Sequence, residues 1–137
     1  MRFKKLLIGA FIGGVSCGAC AEAEWKYINT SDSGFIIGVD INNISNVSEY
    51  GYQQNKKFWS KQVVSTDLVQ DDLAVGDHRM VLYWANCNAK TLGIKSITNY
   101  TKQKNGAYNP KTYTSPVVEM EDIIPDTMGD QILNAVC

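Results

Sequence analysis

The chain is poor in the residues from which catalytic and metal sites are usually built. It has one histidine, His78, among 137 residues, which excludes paired-histidine metal sites and leaves any Ser/His/Asp or Cys/His device dependent on that imidazole. No nucleophile motif lies near it, so His78 reads as an ordinary solvent-facing or edge histidine at a strand start. Glycine-rich phosphate loops are missing too, because Gly9, Gly13 and Gly14 all fall in an amino-terminal leader. The acidic pairs and runs at Asp71-Asp72 and Glu119 to Asp122 do not fit the alternating ligands of a calcium loop and read as solvated surface. No cofactor and no metal are implied. Apolar runs are short, and the longest, Leu6 to Val15, is too brief and too glycine-rich to cross a bilayer as a stable helix.

That run belongs to a leader. Arg2, Lys4 and Lys5 precede it and Ala19-Cys20-Ala21 follows, the three-part pattern of an export signal cleaved after Ala21. The expected division is therefore a signal peptide over 1–21 and one domain over 22–137. Cys17 after Gly14-Val15-Ser16 offers an alternative, a lipidated cysteine, but a glycine stands where a large aliphatic residue is usual. Losing the leader leaves 10 Lys+Arg against 14 Asp+Glu, a mature net charge of −4. Such a charge disfavours nucleic acid as a partner.

Export also settles the cysteine arithmetic. Of four cysteines, Cys87 and Cys137 remain, and in an oxidising compartment two remaining thiols are expected to pair. Their bridge closes a loop of 49 intervening residues, a constraint on the unfolded chain of about 4 kcal/mol. Cys137, the last residue given, thereby holds a segment that would otherwise peel away.

The rest reads as α+β, mainly β, with an antiparallel meander. Ser31-Asp32-Ser33-Gly34 turns a first hairpin; "KKFWSKQVVST" and "HRMVLYWANC" alternate as strands, the second apolar on both faces and so expected to be buried on both. Asp67 to Asp77 is an acidic surface loop. Asn105-Gly106 is the strongest turn signal, returning the chain as an edge strand limited by Pro110. Thr127 with Asp130 makes a capping-box-like helix start, and Met128, Ile132, Leu133 and Val136 line one helical face. Docking that stripe and bridging Cys87 to Cys137 require the same face of the central strand, the one bearing Val81, Tyr83 and Ala85.

A tryptophan soon after the leader, then "SGFIIGVD", "KKFWSKQV", "YWANCNAK" and a final "IIPDTMGDQILNAVC" form a series that resembles the surface-adhesin protein E family of Gram-negative bacteria. The resemblance implies an antiparallel sheet flanked by a C-terminal helix and a periplasmic or cell-surface location at the outer membrane. It also implies a non-enzymatic, dimeric adhesin for host matrix or serum proteins such as vitronectin and laminin. The corresponding binding region is Arg79 to Tyr108, locally basic through Lys90, Lys95, Lys102 and Lys104, with Tyr108 at its end. A rival expectation is a small periplasmic inhibitor of a host enzyme such as lysozyme, in which an acidic protein meets a basic enzyme. Hydrolysis through His78 is a third and weaker expectation.

Overall fold

The structure, a computed structural model, describes residues 22–68 and 72–137. The leader with Cys17, and Asp71 in the acidic loop, lie outside the described residues. Eight strands form one antiparallel sheet: β1 (Trp25–Thr30), β2 (Phe35–Asp40), β3 (Ser45–Asn46), β4 (Lys56–Val64), β5 (His78–Asn86), β6 (Thr91–Lys102), β7 (Tyr108–Thr114) and β8 (Glu121–Asp122). The six long strands run in the order β1-β2-β4-β5-β6-β7, with short β3 paired to β4 and β8 to β6. One helix, α1 (Met128–Val136), follows.

Each hairpin sits where a turn residue permits it. Gly34 takes a φ of 95° and donates its N–H to Ser31, and Gly106, with a φ of 84°, closes the β6–β7 turn onto Gln103; both angles are left-handed conformations that cost glycine nothing. The acidic segment after β4 is held by a bridge between Leu68 and Leu73 and by Asp77, whose carboxylate accepts from Ala74 N and Lys102 N. Leu73 is buried, so this loop contributes to the core as well as to the surface.

Alternation in the central strands sorts the side chains into two unlike faces. Phe58, Ser60, Gln62 and Val64 of β4 are buried, and opposite them Val81, Tyr83 and Ala85 of β5 face the same core. Ile132, Leu133 and Val136 of α1 complete that cluster. A nine-residue helix would not persist alone in water, so this contact is what holds it. Thr127 caps it by accepting from Asp130 N, while the Asp130 carboxylate returns to Asp126 N, one residue before the cap. Cys87 directly follows β5 and Cys137 directly follows α1; the two are joined, with Cα atoms 5.7 Å apart.

The opposite face departs from the expectation of burial on both sides of β5. Only Trp84 is covered there, by Val47 and Val118 with Tyr52 and Met120 against them. The segment before β8 crosses so close at this point that a Cβ on Gly93 would meet Glu119 O and Val118 Cγ1 at 2.7 Å. Met80 and Leu82, nearer the middle of β5, remain only partly buried.

At the edge of the sheet β7 is exposed along its whole length. Replacing both Cys87 and Cys137 by serine is expected to lower unfolding stability by about 4 kcal/mol, read as a lower urea midpoint with the sheet retained in far-ultraviolet circular dichroism.

Candidate functional site

The open face is built from β1, β2, β4, β5 and β6, and its chemistry follows from register. Trp25 pairs with Asp40, Tyr27 with Gly38, Ile36 with Val63, Lys61 with Met80, and His78 with Tyr100, all on the side away from α1. A β-bulge between Leu82 and Tyr83 skips Lys95 on β6. The extra residue reverses which side each later side chain takes. Leu92 and Ile94 therefore take the helix side of the sheet, Leu92 buried and Ile94 exposed, whereas Tyr100 joins the open face instead of continuing their row.

Two hollows mark this surface. One of about 200 Å³ is lined by Trp25, Trp59, Met80, Thr98, Tyr100 and Asp40. The other, about 170 Å³, shares the Trp25 wall and is floored by Gly38 between Ile36, Lys61 and Val63. Trp25 is 38% exposed, Tyr27 60% and Ile36 40%. Aromatic and aliphatic surface of this kind, continuous across a sheet, is the usual mark of a contact site in a soluble protein.

The two buried polar side chains that line these hollows, Asp40 and Thr98, are already committed. The Asp40 carboxylate, nearly inaccessible, accepts from Glu24 N, Asn42 N and Asn43 Nδ2 at 3.1, 3.1 and 2.7 Å. Thr98 Oγ1 shares a hydrogen bond with Thr112 Oγ1. What the hollows still offer is therefore mostly apolar wall.

His78 closes one corner. Its ring stacks on Tyr100 at 4.7 Å and meets Tyr108 edge-on at 5.0 Å, and the Tyr108 hydroxyl donates to Gly76 O. Burial first, then the neighbouring Lys61 charge, hold the His78 pKa below the ordinary 6.5, with Asp77 opposing them. The imidazole is thus a packed corner of the face. Among the described residues, no group of three or more His, Cys, Asp or Glu side chains is placed to hold a metal ion.

The residues expected from sequence to bind a partner do not form one cluster. Lys90 sits in the β5–β6 turn with a φ of 55°, whereas Lys102 and Lys104 lie at the far end of a 12-residue strand, roughly 35 Å away at the usual strand rise. Lys95 donates to Ser115 O at 3.2 Å and lies over the Trp84 ring. Lys102 and Tyr108 pair across β6–β7 and adjoin the His78 corner, so those two border the open face. The open face itself escaped the sequence reading, since Trp25, Trp59 and Tyr100 are far apart in the chain and the bulge hides the last.

A disulfide-closed antiparallel sheet, covered by a helix on one side and left aromatic on the other, defines a small β-rich protein built to present a surface. The family described as surface-adhesin protein E matches residues 25–137, and the chain belongs to that family. Comparison with curated proteins and with solved structures returned no match. Among the described residues, no helix is long and apolar enough to cross a membrane.

The depressed His78 pKa makes stability depend on pH in a definite direction. The unfolded chain takes up the proton near 6.5 and the folded one only at lower pH. Stability is therefore full above that value and declines as pH falls toward the folded pKa. His78→Gln should flatten this decline between about pH 7 and pH 5, where histidine titrates, in urea midpoints measured across that range.

Proposed function

We propose that the mature chain is an exported surface adhesin that binds host matrix or serum proteins and catalyses no reaction, with the open face as its main contact surface. One observation carries the reading. Aromatic side chains that a domain of this size would ordinarily bury stay at the surface of the sheet, on a scaffold whose other face packs its core against its own helix. Membership of the surface-adhesin family supports the same conclusion.

Lys102, Lys104 and Tyr108 extend the surface to the end of the β6–β7 hairpin, whose β7 strand is exposed throughout. Lys90 and Lys95 contribute less in this reading, the first by its distance and the second by its bond to Ser115 O. The inhibitor alternative rests on overall negative charge, and that charge is not on the long strands. The six long strands hold eight Lys or Arg and a single acid, Asp40, out of 14 Asp+Glu in the chain, so a basic enzyme would be repelled there.

Surface display needs export, for which the leader 1–21 provides the signal. Cleavage after Ala21 would leave a free Glu22, and lipidation would leave an acylated Cys17 anchored in the outer membrane. Mass spectrometry of the mature amino terminus is expected to show free Glu22; an acyl-modified Cys17 would replace the soluble form with an anchored one. In binding measurements on immobilised laminin and vitronectin, Trp25→Ala and Trp59→Ala should each weaken association at least about tenfold. Ile124→Ala, an exposed apolar residue off the face, should leave it unchanged. Equal binding by all three variants would remove the open face from the proposal.

A further inference from the structure

Charge and apolar surface are distributed in this fold in a way that specifies the ligand of the open face, given the adhesin reading above. The mature chain is acidic overall, yet its acids lie in turns, loops, β8 and α1. The long strands have one, and that one is already held by three N–H donors. On the open side the register places Lys57, Lys61 and Lys102, and Lys95 lies beside Trp84. On the open face three lysines therefore meet a single acid, Asp40, while Lys26, Lys56, Arg79 and Lys111 take the helix side of the sheet by register.

From this we infer that the two hollows of the open face bind an extended acidic polypeptide segment, seating two apolar side chains while its carboxylates meet Lys57 and Lys61. The walls favour a polypeptide over an acidic glycan. A sugar ring needs many free donors and acceptors around its hydroxyls, whereas the walls of both hollows are mostly apolar and Asp40 and Thr98 are bonded within the fold. The remaining walls, Trp25, Ile36, Val63 and Met80, suit aliphatic or aromatic side chains. Gly38 keeps the second hollow open: a Cβ there would meet nothing nearer than Lys26 O at 3.5 Å, so a larger side chain enters the hollow without a backbone clash.

The lysines supply long-range attraction, effective over about 10 Å at 0.1 M salt, and raise the association rate for an acidic partner. The hollows supply the short-range fit. Each half makes a separate demand on the ligand. Neither alone reproduces the expected pattern.

The test uses the mature protein and a synthetic ten-residue peptide carrying two leucines among glutamates and serines, followed by tryptophan emission. Trp25 and Trp59 both line the first hollow, so occupancy should alter the signal. Binding should be saturable, and weaken at least tenfold when the leucines become serines. It should also weaken when glutamates become lysines, and when salt is raised from 0.05 to 0.5 M. Gly38→Leu, which fills one hollow, and the Lys57→Glu/Lys61→Glu pair should each cause a loss of the same size, with urea midpoints confirming that both fold. The inference is overturned if acidic and basic peptides bind alike, if heparin binds at these lysines while the leucines make no difference, or if the face is closed by a second copy so that no peptide binds. Retained laminin or vitronectin binding in any of those cases would leave the adhesin reading standing.

Discussion

A single covalent bond organises the whole molecule. Cys87 lies just past the central strand and Cys137 just past the helix, so their bond fixes α1 over one side of the sheet. A nine-residue helix contributes three well-buried side chains, Ile132, Leu133 and Val136, which is modest apolar burial for holding a helix in place. Restricting the unfolded chain removes much of the entropy that would otherwise favour peeling. With the helix held, Val81, Tyr83 and Ala85 find their partners. The other face receives no such cover.

That asymmetry accounts for the features of the open side. A domain of this size has one helix to spend, and the connections that might have covered the second face reach only Trp84, through Val118 and Met120 on one side and Val47 and Tyr52 on the other. The close approach at Gly93 shows how tightly that partial cover is fitted. Past it, none of the described residues covers the hollow around which Trp25, Trp59 and Tyr100 lie. The His78 stack between Tyr100 and Tyr108 stiffens the corner where the β6–β7 hairpin leaves the core.

Much of the architecture was legible in sequence because local signals agreed with the final packing. Ser31 to Gly34 and Asn105-Gly106 turn where those residue types predict, the Thr127 cap starts the helix, and the pair of cysteines left after the leader is bonded. Other features were not legible, for identifiable reasons. Alternation places Tyr100 with Leu92 and Ile94 only if β6 is uninterrupted, and the extra residue Lys95 breaks the count. Apolar residues on both sides of β5 imply two-sided burial only if something is available to cover the second side. The lysines of Arg79 to Tyr108 are neighbours in sequence yet are separated along a long strand, since a strand spreads residues over distance where a helix would gather them.

The lysines on the open face need a cause beyond solubility. Exported sheets commonly carry lysine on edge strands to discourage pairing with other chains, and Lys26 on β1 and Lys111 beside Pro110 on β7 fit that use. Lys57 and Lys61 do not. Both lie on β4, an interior strand, Lys61 between β2 and β5 and Lys57 between β3 and β5, so neither has an edge to protect. Lys61 stands between Gly38 and Met80 and presents its charge to His78, in the middle of the apolar surface. A charge set among tryptophans with no carboxylate opposite it on the strands is poorly explained by stability, since exposed lysines contribute little to folding. It is well explained by recognition, in which a positive centre bordered by apolar hollows favours partners that bring the complementary charge and shape.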